Sequence, residues 1–249
     1  MFAGVFIAPH FHVRPDITLV AQAVDTTARA GSYTFSGLTF GEEFASTFAT
    51  GASRTRTMVA MVHLVGGGSG TLNQTSCTIG GVSAGGGDSG DSGTSPTGGA
   101  GAGIWAAKPS GTSGNLTVNF TSGTANACAV HLYAVADLTS ATPFASSVGP
   151  GGAGGITSDP TYPASMNGTI NIPNSPTMNS VLFGAASRAN NTGAITLVGI
   201  TQTYDTTLGG SHRIAGGFDI QLPQQTNRTV GLSTASSGVI FGMRAMSFG

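Results

Sequence analysis

Apolar and polar positions alternate with a period of two along much of the chain. Leu116, Val118 and Phe120 are separated by Thr117 and Asn119, Ile170 and Ile172 by Asn171, and Phe218, Ile220 and Leu222 by Asp219 and Gln221. That period sets one row against a core and the other toward water, as in a half-buried β-strand. Three further runs, 58–65, 129–135 and 239–246, are apolar on both parities. They predict central strands covered on both faces. Phe44 and Phe48, four apart behind Glu42 and Glu43, predict at most a turn or two of helix. Tyr33 and Phe35 share one parity while Leu38 and Phe40 share the other, so the phase changes at Ser36-Gly37. A glycine there predicts a bulge or a sharp bend. Turn signals recur about every ten residues, the spacing of a sandwich or barrel.

Two stretches do not read as strands. Residues 85–103 (GGGDSGDSGTSPTGGAGAG) form a Gly/Ser tract that predicts a long exposed loop, and 148–163 (VGPGGAGGITSDPTYP) read as a linker. The segments on either side of that linker echo each other in the same order. Asn115-Leu116-Thr117-Val118 followed by the 129–135 run parallels Asn227-Arg228-Thr229-Val230 followed by 240–246. The 58–64 run before Ile79-Gly80-Gly81-Val82 parallels 180–186 before Val198-Gly199-Ile200-Thr201, and 102–106 parallels 212–216. The expectation is therefore an all-β protein, an antiparallel, jelly-roll-like β-sandwich built from two related halves of five or six strands. The boundaries are an N-terminal arm at 1–15, a first half at 16–147 carrying the loop 85–103, the linker 148–163, and a second half at 164–249.

Composition narrows the function. Of the 249 residues only 8% are charged, the net charge is −1 and Lys108 is the one lysine. A nucleic-acid binder needs a dense cationic face, which eight scattered arginines do not supply. No run approaches the ~20 apolar residues that cross a bilayer. The opening MFAGVFIAPHFHVRP lacks the basic start and small-residue cleavage site of a secretory signal, so Met1 reads as the start of a cytosolically made chain. Cys77 and Cys128 are not in a CxxC pair, and the alternatives are two buried reduced thiols or a single bridge.

No constellation demands catalysis. Gly87-Asp88-Ser89-Gly90, repeated as Gly90-Asp91-Ser92-Gly93, matches the GDSG around the nucleophile of trypsin-like proteases. It lacks the ordered histidine and carboxylate that such a serine needs, and its glycines hold no oxyanion hole rigid. Asp88 and Asp91 are two carboxylates where calcium takes six or more oxygens. His10 and His12 share a strand face but have no third ligand nearby. His63 and His131 fall inside buried-type strands and read as hydrogen-bonded core residues, and Trp105 as a core residue rather than a sugar platform. No catalytic residue, cofactor or metal ligand is assigned.

The polar positions are Thr, Ser, Asn and Gly, which bind water but give copies little mutual repulsion. Such a surface suits a lattice or ring of many copies. The strand–turn–strand segment LTVNFTSGTANACAVHLYAV, its echo RTVGLSTASSGVIFGMRAM, and the glycine-rich tracts resemble β-sandwich virion components of tailed bacteriophages, which decorate capsids or sit at necks, tails and baseplates. The resemblance implies a non-enzymatic structural protein, made in the host cytoplasm and located in the virion. Its partners would be other virion proteins and copies of itself, with no nucleic acid and no membrane insertion. It carries no residue-level roles. The alternative reading is a recognition module for a host-surface glycan, with the loops at one end of the sandwich as its binding surface.

Overall fold

A computed structural model describes residues 17–41, 55–66, 72–88, 99–138, 140–148, 165–173, 180–189, 191–220, 222–235 and 241–249. Nine strands make the first half: β1 (Ile17–Asp25), β2 (Arg29–Thr39), β3 (Arg56–Gly66), β4 (Asn73–Ile79), β5 (Val82–Ser83), β6 (Gly85–Asp88), β7 (Gly99–Ala107), β8 (Ser113–Ala125) and β9 (Ala127–Ala136). Eight make the second: β10 (Ala145–Val148), β11 (Ser165–Ile172), β12 (Val181–Arg188), β13 (Ile195–Val198), β14 (Gln202–Leu208), β15 (His212–Asp219), β16 (Gln225–Thr234) and β17 (Phe241–Phe248). These exceed the five or six per half that alternation marks, because several edge strands are too short or too glycine-rich to carry a pattern.

In the first half an inner sheet, β1-β9-β3-β7-β6, faces an outer sheet, β2-β8-β4-β5. In the second, β10-β17-β12-β15-β14 faces β11-β16-β13. Every strand pair is antiparallel, and successive long strands β1 to β4 alternate between the two sheets, as in a jelly-roll-like sandwich. The same winding recurs in the second half: β10, β11, β12, β13, β15, β16 and β17 take the places of β1, β2, β3, β4, β7, β8 and β9.

The two inner sheets pack face to face, so the layers run outer, inner, inner, outer. Three interiors result. Met58, Ala60, Val62 and Leu64 of β3 point into the first sandwich with Tyr33, Leu116, Val118 and Leu132. Leu182 and Ala186 of β12 point into the second with Ile170, Leu197 and Leu232. The remaining parity meets at the seam, where Val59, Met61, Ile104 and Tyr133 pack on Phe183, Ala185, Met246 and Phe248. The central inner strands thus have no water-facing row: β3, β7, β9 and β12 are buried along their whole length. This is the physical reason for runs without alternation. The bulge expected at Gly37 is present: the pairing of β2 with β8 slips between Phe35 and Leu38, and Gly37 has φ +65°.

Two segments differ from the sequence reading. The tract 85–103 is not one loop, since it contains β6 and the first five residues of β7. Glycine there serves close packing. A Cβ on Gly103 would stand 2.2 Å from Gln74 Oε1 and 2.7 Å from Trp105 Nε1, and one on Gly101 would stand 2.6 Å from the Leu72 carbonyl oxygen. On the opposite parity Ala102, Ile104 and Ala106 join the seam. The boundary at 147 also falls inside a strand, because β10 pairs with β17 from Ala145↔Ser247 to Val148↔Arg244. Four residues of small side chains give no period to read. The N-terminal arm at 1–15 and the helical turn expected at Phe44 and Phe48 lie outside the described residues.

Candidate functional site

The most concentrated polar chemistry is at the seam. β3 carries His63 and β9 carries His131 on the seam-facing parity of the first inner sheet, where they meet Ser187 of β12 and Tyr204 of β14. His63 is fully buried, with Nδ1 2.9 Å from Ser187 Oγ and Nε2 2.6 Å from the Tyr204 hydroxyl. Ser187 Oγ donates its own proton to the Gly101 carbonyl at 2.9 Å. The directions then close. Ser187 must accept from His63 Nδ1–H, and His63 Nε2 must accept the Tyr204 proton. His131 stacks on Tyr204 with ring centroids 3.8 Å apart, and stands edge-on to His63 at 5.9 Å.

Burial sets the charge states. Desolvation, then the neighbouring His131, pushes His63 well below the ordinary histidine range. Desolvation alone lowers His131 to about 4. Burial, with a further contribution from Tyr133, raises Tyr204 well above the usual phenol range. At neutral pH the cluster is uncharged throughout. His212, the third described histidine, is also buried and lowered by desolvation.

This arrangement cannot run as a serine nucleophile. A catalytic base takes the hydroxyl proton, whereas here the histidine gives a proton to the serine and the serine gives its own to a backbone carbonyl. Ser187 and His63 are each 0% exposed, so no substrate atom can approach either. The cluster ties the two sandwiches together.

The other polar positions are similarly engaged. Asp88 Oδ2 accepts from the Gln74 backbone N–H at 2.6 Å, and its charge bears on Arg244 of β17. Asp91, Ser89, Ser92, His10 and His12 lie outside the described residues. Among the described residues no group of three or more His, Cys, Asp or Glu is placed to hold a metal ion. Trp105 is 5% exposed and donates Nε1–H to Gln74 Oε1 at 2.8 Å, so its indole is sealed in the first core. Cys77 and Cys128 are free thiols buried in that core, with Cys77 pushed up to about 12 by burial. A hollow of about 550 Å³ opens beside the second sandwich, lined by Ile200, Phe218, Asp219, Ile220, Leu222 and Arg228. Its cation is committed: Arg228 binds Asp219 at 2.5 Å and the Gly199 carbonyl at 2.8 Å.

Sequence reasoning singled out His63 and His131 as core residues but missed their partners. Ser187 and Tyr204 each lie in a strand with no other feature of interest, and nothing in the pattern reveals that they cross the seam. His131 departs from the expectation in one respect, because its buried Nδ1 has no hydrogen-bond partner among the described residues. The stack on Tyr204 occupies the ring face and brings no acceptor to that nitrogen.

Set against protein-family models, curated proteins and solved structures, the chain matches none. The functional reading therefore rests on its own geometry.

Proposed function

We propose that the protein is a non-enzymatic structural component of a tailed-bacteriophage virion, acting through contacts with copies of itself and with other virion proteins. The observation that carries this reading is the closed seam. The His63, Ser187 and Tyr204 groups that elsewhere do chemistry are consumed in joining two sandwiches into one four-layer block. What remains outside is a weakly charged surface and a set of sheet edges, which are means of contact. The fold supplies rigidity, and the composition supplies a surface with little penalty for meeting its like.

The test is incorporation into particles. Particles purified by density gradient from a host carrying the gene are expected to contain the protein at a fixed ratio to the major capsid protein, and gold-labelled antibody is expected to mark one place on them. Recovery of the protein from the soluble lysate alone, with none in washed particles, would overturn the reading.

A further inference from the structure

Among the described residues eight strands bound the four sheets: β1 and β6, β2 and β5, β10 and β14, and β11 and β13. An edge strand presents unpaired N–H and C=O groups to any passing strand, and proteins blunt it with shortness, bulges, charge or cover. Among the described residues each of the eight carries at least one such device. β5, β6, β10 and β13 are two to four residues long. The pairing of β2 slips at Gly31 and again at Gly37. β14 slips at Thr203 and carries the Asp205–Arg213 ion pair. β11 slips at Asn171, whose carbonyl accepts from Ser247 Oγ at 2.8 Å.

β1 carries only a slip, and of the four longer edge strands it is the one that exposes large apolar side chains. After one irregularity at Val20, Ala21 to Asp25 run in unbroken register with Leu132 to Cys128. Its one charge, Asp25, lies at its end and is taken by Arg29 and the Thr27 N–H. Leu19, Gln22 and Val24 pair with Tyr133, His131 and Ala129, three residues that face the seam. They therefore extend the seam face of the inner sheet. The opposing inner sheet stops at β14, and it leaves Leu19 42% and Val24 60% exposed. An apolar shelf thus runs out of a buried seam, beside a backbone edge that no described strand pairs.

We propose that this shelf and edge are a self-association site. β1 of one copy pairs antiparallel with β1 of a second across a twofold axis, joining two five-stranded inner sheets into one continuous sheet and covering Leu19 and Val24. The proposal rests on the reading that the protein works among copies of itself. Two features select a second copy as the occupant. The shelf is continuous with a face already built to pack this chain's own inner sheets together. It also carries no charge, so an isologous contact sets no like charges opposite each other.

Light scattering of the full chain over a dilution series tests this, beside a Leu19→Lys/Val24→Lys variant and a chain lacking residues 1–15. The wild type is expected at twice its 24.6 kDa mass. The lysine variant is expected at the single-chain mass, with dimerisation weakened at least about tenfold and unchanged circular dichroism and Trp105 emission; the truncated chain should still dimerise. Single cysteines at Leu19, Gln22 and Val24 give an independent reading, because the native thiols are buried. With diamide as oxidant, the position nearest the axis is expected to cross-link to itself. A wild-type monomer at every concentration, a ring of odd number, or association that survives the lysines would each overturn the proposal. Loss of association on removing 1–15 alone would assign the contact to the arm and overturn it as well. A solution monomer still found in washed particles would sink the edge pairing and leave the virion reading standing; a dimer absent from particles would do the reverse.

Discussion

His131 lies face to face on Tyr204 across the seam, with ring planes 10° apart and centroids at 3.8 Å, while its Nδ1 is buried without a hydrogen-bond partner among the described residues. The stack contributes packing and the orphaned nitrogen costs desolvation. His131→Phe keeps a ring and removes the nitrogen. It is expected to raise stability at pH 7 by about 1 kcal/mol, read as a higher urea midpoint at unchanged slope.

The same residue gives the molecule an acid dependence. Its folded pKa of about 4 lies below the ordinary 6.5. Between those values the unfolded chain binds a proton that the native protein does not, so stability falls as the pH drops from about 6.5 and levels near 4 for this group. The loss is on the order of 3 kcal/mol, and His63, lowered by its own burial, acts in the same direction. Urea midpoints at pH 7, 5.5 and 4.5 are expected to diverge between wild type and His131→Phe as acid increases. Parallel curves would show that His131 is not the group responsible.

Gly103→Ala tests why a glycine tract forms a buried strand. The added methyl would meet the Gln74 carboxamide and the Trp105 indole, two partners already hydrogen-bonded to each other. Destabilisation of about 1–3 kcal/mol is expected from overpacking, with a shift in the emission of the single tryptophan. A variant with wild-type emission and wild-type stability would mean that the strand has room to move.

Gln202 closes an edge with a side chain. Its carboxamide accepts from Leu197 N–H at 3.0 Å and donates to the Ile195 carbonyl at 2.9 Å, so it completes β13 as a neighbouring strand would. In the first half the corresponding strand, β4, is instead covered by β5. Gln202→Leu is expected to expose both groups, to speed amide exchange at Leu197 at least about tenfold, and to cost roughly 1–3 kcal/mol. Unchanged exchange at Leu197 would show that another group guards that edge.

Strands built from large side chains were legible in the sequence. Leu116, Val118 and Phe120 announce a half-buried strand by alternation, and 58–65 announces an inner one by its absence. The paired segments on either side of the linker place β3, β4, β7, β8 and β9 opposite β12, β13, β15, β16 and β17. What escaped has a common cause. At β7 the requirement is for lack of volume, and glycine reads as loop when its neighbours are not known. At β10 only four small residues pair, too few to show a period. The seam was illegible because His63 is separated from Ser187 by 124 positions and from Tyr204 by 141, and each is unremarkable within its own strand.

The winding of the first inner sheet also bears on synthesis. β1 waits for β9, its partner in register from Ile17↔Val135 to Asp25↔Cys128. Once Ala136 has left the ribosome, the first sandwich has all its strands, yet one wall of it stays bare. Val59, Met61, Ile104 and Tyr133 have nothing to rest on until Phe183, Met246 and Phe248 have been translated. Through that interval the nascent chain displays a sticky wall in a crowded cell, where chaperones and neighbouring polysomes compete for it. A product stopped at 147 keeps that wall for good, which makes inclusion bodies its expected fate.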